Sequence, residues 1–169
     1  MGKNKMEIKK AEKLAKELIA EHCPEYAFQF DNAKVRFGYC SWRKKLISLS
    51  RYLVLLNDEP KVLDTILHEI AHALTKGEGH NRIWRAKAIQ LGCDGHRCYD
   101  SKEVNYIKGK FVYQCPACKK QFYYHRKKRR KTACGDCCNK FNFGKYSTDF
   151  QMVFLGIKKQ DNVGGINES

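Results

Sequence analysis

The stretch DTILHEIAHALTKGEGHNRIWRAKAIQLGC, residues 64 to 93, decides how this chain is read. It contains H-E-x-x-H at residues 68 to 72. Residues four apart lie on nearly the same face of an α-helix, so His68 and His72 can present two imidazole nitrogens to one zinc ion. Glu69 then points beside that metal, where it can take a proton from an activated water and pass it to a leaving amine. Leu63, Ile66, Leu67, Ile70, Ala71 and Leu74 recur at helical spacing, which predicts a largely buried helix. Two histidines and a glutamate are costly on such a helix unless something satisfies them, and a metal does so.

A catalytic zinc needs a third protein ligand and an open fourth position. His80, eight residues after His72, is the nearest candidate, with Glu78 as its rival. The intervening TKGEG breaks the helix, and Gly77 and Gly79 let the chain reverse so that His80 can return to the metal. The spacing does not fit the metzincin pattern, in which only five residues separate the second and third histidines. Asp58 suits the N-cap of the metal helix and Pro60 its first turn. A second helix is predicted from Asn81 to Leu91, ending at Gly92, with Trp84 packed under the metal site. Cys93, His96 and Cys98 match no common metal spacing and read as part of a connector.

Upstream, apolar residues recur every three or four positions between Met6 and Cys23, predicting an amphipathic scaffold helix that ends before Pro24. His22 and Cys23 read as packing or capping residues. Phe28 and Phe30, then Val35, Phe37 and Tyr39, alternate around Asp31-Asn32, which suggests a β-hairpin. Leu46 to Ser50 gives a third strand, so the expected sheet is small and antiparallel. Its edge could hold an extended peptide beside the zinc. Cys40 reads as a buried thiol, and Arg51 to Asn57 as a short helix or a loop.

The formal charge of +15 on 169 residues favours a polyanionic partner, DNA or RNA first. No apolar run reaches the length of a membrane span, and MGKNKMEIKK lacks the apolar core of a signal peptide. The expectation is an intracellular protein, in the nucleus or another DNA-containing compartment. Nine cysteines then suggest metal ligands and buried thiols before disulfides.

Residues 112 to 143 read VYQCPACKKQFYYHRKKRRKTACGDCCNKFNF. Cys115-x-x-Cys118 and Cys134-x-x-Cys137, fifteen residues apart, have the spacing of a closed, structural four-cysteine zinc site. Cys138 competes with Cys137 for the fourth place. Between the pairs lie Lys119, Lys120, Arg126, Lys127, Lys128, Arg129, Arg130 and Lys131, interleaved with Phe122, Tyr123, Tyr124 and His125. Basic groups neutralise phosphates while aromatic faces stack on unpaired bases, so this insert is a candidate surface for single-stranded nucleic acid. It also reads as a solvated charged hairpin or a nuclear-import signal. Tyr146 to Gly156 suggests a closing strand and QDNVGGINES a disordered end.

With those residues in hand, the chain resembles the SprT-like family of zinc metalloproteases, to which the DNA-dependent protease Spartan belongs. The resemblance runs from about Ala11 to Phe143. It rests on Asn32, Gly38 and Cys40, on Ile47 to Ser50, on His68 to His72, on His80 with Trp84, and on the cysteine pairs that follow. Asn81 departs from the family, which commonly has Gly after the third His. The gap from His72 to His80 is that of the compact forms. The resemblance implies an α+β fold: a zincin-like metalloprotease domain over residues 1–105, with helices and a small antiparallel sheet, then a zinc ribbon over 106–158 and a tail over 159–169. It implies one catalytic zinc on His68, His72 and His80 with Glu69 as general base, and one structural zinc on the four cysteines. It implies DNA-stimulated cleavage of DNA-bound or DNA-crosslinked proteins, with single-stranded features in the DNA partner. The alternative is a non-catalytic zinc-ribbon accessory factor in transcription or replication, against which an intact Glu69 argues.

Overall fold

A computed structural model describes residues 5–97 and 105–158. Cys98, from the proposed connector, and the tail over 159–169 lie outside the described residues. The chain divides between Ile107 and Lys108 into two compact units.

The first unit opens with α1 (Ile8–His22), whose Ala11, Ala15 and Ile19 are buried at four-residue spacing while Lys16 and Glu12 pair on the outer face. Three strands follow, β1 (Ala27–Asp31), β2 (Gly38–Ser41) and β3 (Leu46–Ser50). They form one sheet in the order β1-β3-β2. Here the structure corrects the expected hairpin. β2 and β3 are antiparallel, but β1 runs parallel to β3 on its other side, so the sheet is mixed and β1 and β2 never pair. Alternation fixes which face a residue occupies and is silent about which strand it pairs with.

The residues at Asp31-Asn32 start a crossover over the end of β3 instead of a tight turn. The Asp31 carboxylate accepts from the Ala33 amide at 2.9 Å, the Ser48 hydroxyl at 2.7 Å and Arg36 at 2.6 Å. Ser50 Oγ donates to the Ala33 carbonyl and Ser50 N to that of Phe37. Buried serines that would be penalised in an apolar core are thereby paired, and they hold the crossover in place.

α2 (Arg51–Leu56) is a short helix capped by the Ser50 hydroxyl. α3 (Glu59–Leu74) then starts on the Asp58 side chain, which accepts from the Lys61 amide, with Pro60 in its first turn. Val62, Ile66 and Ile70 of α3 sit in a core with Ala11, Ala15 and Ile19 of α1 and Ile47 and Leu49 of β3. Burial of each large aliphatic side chain contributes about 1.5–3 kcal/mol, so this shared core fixes the helix against the sheet. Leu67 and Ala71, on an adjacent stripe of α3, pack with Trp84 and Ala88 of α4 (Arg82–Gln90). With two stripes buried, a third is left to carry His68 and His72.

The second unit has a three-stranded antiparallel sheet of β4 (Phe111–Gln114), β5 (Gln121–Tyr124) and β6 (Val153–Ile157), in the order β5-β4-β6. α5 (Gly135–Phe141) and a 3₁₀ turn at Thr148–Phe150 lie between β5 and β6. The closing strand is therefore narrower than its apolar composition suggests. The core of this unit is small: Cys115, Cys134 and Cys137 with Phe122 and Phe150 against them, and Val112, Tyr113, Cys138 and Met152 buried besides. The fold class is α+β with small sheets, and the four-cysteine cluster takes the place of an extended apolar core in the second unit.

Candidate metal centres and the active-site cleft

α3 ends at Leu74, where Thr75 returns its hydroxyl to the Ala71 carbonyl. The chain then reverses through Gly77 at φ 88° and Gly79 at φ 59°, left-handed values that glycine adopts without a steric penalty. Asn81 follows as the N-cap of α4, and its side chain accepts from the amides of Ile83 at 2.9 Å and Trp84 at 3.2 Å. Its φ is −78°. The left-handed turn is thus completed at Gly79, and a glycine at 81 is not required.

This reversal brings His80 back over α3. Its Nε2 lies 3.1 Å from Nε2 of His68 and 3.1 Å from Nε2 of His72. A tetrahedral zinc with bonds of about 2.0–2.1 Å holds its ligand nitrogens roughly 3.3 Å apart. The three imidazoles therefore fit such an ion, and the donor set suits zinc. Burial pushes the His68 ring down to about 4, helped by His80. Burial does the same for His72, with His68 and His80 adding to it, and lowers His80 as well. Neutral rings aimed at one point are what a divalent cation needs. Glu78, the rival ligand, is instead bonded to the Asn81 side chain.

Trp84, 1 % exposed, lies beneath the three rings. Its centroid is 4.7 Å from that of His68, 4.6 Å from that of His80 and 5.1 Å from that of His72, which it stacks on. Trp42 Nε1 donates to the His72 carbonyl, so the last turn of α3 is tied to the end of β2. A cleft of about 300 Å³ opens here, lined by Gly38, Tyr39, Cys40 and Trp42 on one side and by His68, Glu69, His72, His80 and Arg97 on the other. Cys40, expected as a buried thiol, is half-buried and faces this cleft.

Glu69 forms part of the cleft wall. Burial pushes its carboxyl up to about 8, against an opposing pull from Arg36. A base with an affinity for protons near neutrality is matched to proton transfer at that pH. The geometry that keeps it there was not legible from the motif: a Cβ on Gly38 would lie 2.5 Å from Glu69 Oε1 and 2.7 Å from its Cγ. Gly38 leaves the volume that the glutamate occupies. Beyond its place in the family resemblance, the sequence signal is an isolated glycine inside a strand, which can mark a close approach.

In the second unit Cys115, Cys118, Cys134 and Cys137 converge. Sγ of Cys115 is 3.8 Å from that of Cys137, and Sγ of Cys118 is 3.8 Å from that of Cys134. Zinc–sulfur bonds of about 2.3 Å in a tetrahedron require about 3.8 Å, so the four sulfurs fit zinc too. Cys137 takes the fourth place, and buried Cys138 is not part of the cluster. Burial raises the thiol of Cys115, but the amides of Cys118 and Ala117, together with the Cys118 and Cys137 thiols, outweigh it and bring the group down to about 7. Backbone donors aimed at sulfur stabilise the thiolate that binds metal.

Lys119, Lys120, Arg126, Lys127, Lys128, Arg129, Arg130 and Lys131 are all exposed in this unit. Lys120 bonds Asp136 at the start of α5, and Lys128 lies 3.9 Å over the Tyr124 ring while its amide donates to the Tyr113 hydroxyl. Tyr123 is approached by Lys108 and Lys158. Phe122 packs on the cysteine cluster, so its ring is committed to the ribbon core. Cys93, from the expected connector, lies with Asp64 and Asp94 in a third group of potential ligands. Asp64 accepts from the Asp94 amide and so ties the end of the connector to α3.

A search among curated proteins gives no match. Among solved structures, the chain is similar to the crystal structure of the metallopeptidase zymogen of Methanocaldococcus jannaschii jannalysin, at 18 % identity and a TM-score of 0.43, over 55 % of this chain and 85 % of that one. Residues 8–105 match the SprT-like family, a span that takes in α1, the sheet, both helices of the histidine centre and the cleft. With more than half of its length matched, the chain belongs to the SprT-like family.

Proposed function

We propose that this SprT-like metalloprotease is a zinc endopeptidase that cleaves proteins bound or crosslinked to DNA, and that DNA stimulates it. One observation carries the proteolytic part: three imidazole nitrogens converge on a cleft whose wall holds a buried glutamate. When bound by His68, His72 and His80, zinc would polarise the scissile carbonyl and make water a stronger acid. Glu69 accepts a proton at its carboxylate and returns it to the leaving amine. The edge strand β2, which lines the cleft, offers backbone groups to an extended peptide. A second zinc on the four cysteines holds the ribbon.

Support for the DNA partner is the charge of +15 and the exposed basic insert of the ribbon. Basic groups draw in a polyanion, and tethering raises the local concentration of any protein bound beside the enzyme. Selectivity for DNA-bound substrates then needs no side-chain pocket. Such a protein acts in a DNA-containing compartment.

The test is incubation of the zinc-loaded protein with a basic DNA-binding protein, with and without single-stranded DNA, beside Glu69→Gln. DNA-dependent fragments should appear with the wild type, and Glu69→Gln should lower the rate by about 10²–10⁴-fold while keeping its zinc. Equal cleavage without DNA removes the stimulation. Tight DNA binding with no cleavage at all would favour the accessory-factor reading. Neutralising Lys127 to Arg130 should lower the salt slope of single-strand binding by about 3.

A further inference from the structure

A second group of exposed aromatic and basic side chains lies in the ribbon outside the basic insert. α5 ends at Phe141, and the next residues form a tip that carries Phe141 at 62 %, Phe143 at 96 % and Tyr146 at 52 % exposure. Phe141 leans on Phe150 with ring centroids 5.9 Å apart and the Tyr146 hydroxyl donates to Gln151, but the Phe143 ring stands almost wholly in water, a cost to solubility. Lys140, whose ammonium lies 5.1 Å from the Phe141 ring, and Lys145 sit among these residues.

The tip is also ordered. Asn142 Nδ2 donates to the carbonyls of Lys145 at 3.1 Å and Tyr146 at 3.3 Å, and Gly144 N donates to the Cys138 carbonyl at 3.0 Å. That last bond fastens the loop to the residue beside a cysteine ligand. Phe143 itself stands at φ 51°, in the left-handed position where helices normally close on glycine or asparagine. A bulky side chain there is uncommon, and strained backbone that the surroundings hold in place gathers at functional sites. The ring gains no packing in exchange, being almost wholly in water.

We infer that this tip is a second nucleic-acid contact of the ribbon, in which Phe143 stacks on an unpaired base while Lys140 and Lys145 meet the flanking phosphates. Aromatic faces take any base, and lysines beside them supply the sequence-independent attraction to the backbone. The unit around the tip is strongly basic, so a polyanion is the complementary partner. Bases in a duplex are already stacked, so the ligand class is single-stranded. The helix α5 places this tip roughly 10 Å along its axis from Asp136, which holds Lys120 of the insert. The inference rests on the DNA-binding reading above and adds to it a second site, at the end of α5, in which one exposed ring carries the stacking.

The two are separated by one titration series. Binding of a single-stranded oligonucleotide and of the matching duplex is measured across salt concentration for the zinc-loaded wild type, Phe143→Ala and Phe143→Trp. Phe143→Ala should weaken single-strand binding about 5- to 100-fold with the salt slope unchanged, because no counterion is released by a ring. It should weaken duplex binding less, keep its zinc, and be rescued by Phe143→Trp. A wild type that binds no DNA overturns the reading on which this rests. A wild type that binds, with Phe143→Ala equal to it, overturns the tip alone. Unchanged DNA affinity with slower cleavage of a DNA-bound protein would make the tip a protein contact and likewise overturn the proposal.

Discussion

The two metal centres use opposite donors in opposite surroundings. The imidazole centre sits on a unit with an extended apolar core shared by α1, α3 and β3, and His80, the third candidate ligand, is exposed. The sulfur centre is buried at three of its four cysteines, beside a core that otherwise holds only a few buried side chains among the described residues. An open site next to a self-sufficient core can exchange ligands and do chemistry, whereas a closed site that replaces a core can only hold a fold.

The largest expected effect tests that dependence. A strong chelator should unfold residues 108–158 while α1, α3 and β3 keep their amide protection, read by hydrogen exchange. Cys134→Ser should reproduce the selective loss and lower the zinc content by one ion per chain. Simultaneous melting of both units would show that the histidine centre also supports its own fold.

Within the open centre, Gly38→Ala is the next step down. The new methyl would overlap Glu69 Oε1 and Cγ, so the carboxylate must move. The expected result is a fall of about 10-fold or more in kcat with zinc content retained, since a displacement of about 1 Å is costly to catalysis. In a Glu69→Gln background the same substitution should cost little more. If Gly38→Ala instead raised KM with kcat intact, the glycine would serve peptide pairing along β2.

The smallest effect concerns acid and base in the zinc-free protein. His68 and His72 are held near 4 in the fold against about 6.5 unfolded, so between those values the unfolded chain binds more protons and stability falls as pH falls. Glu69 is held near 8 against about 4.5, so the folded chain binds the extra proton and stability falls as pH rises toward 8. Between about 4.5 and 6.5 the two histidines outweigh the one glutamate, so stability rises with pH, and from about 6.5 to 8 the glutamate acts alone and stability declines. Urea titrations should show that decline in the wild type and not in Glu69→Gln.

What the sequence revealed follows the same division between local and distant. H-E-x-x-H, its helical flanks, the Asp58 cap and the glycine reversal to His80 are all set by neighbours within a few residues, so their spacing could be read directly. The parallel pairing of β1 with β3 could not, because alternation of Phe28 and Phe30 names a face and no partner. Nor could the contact between Gly38 and Glu69, which joins residues far apart in the chain. The choice of Cys137 over Cys138 depends on how α5 starts, since adjacent residues on a helix point about 100° apart. Phe143 was invisible for a different reason: an aromatic residue in sequence reads as core until its exposure is seen.

The ligands of the open centre all come from residues 68 to 80, one helix end and the reversal after it. Closing so short a loop costs little chain entropy, and the bonds of Thr75 and Asn81 hold it closed. The cation therefore meets a seat assembled by its own neighbourhood, with no distant segment to recruit.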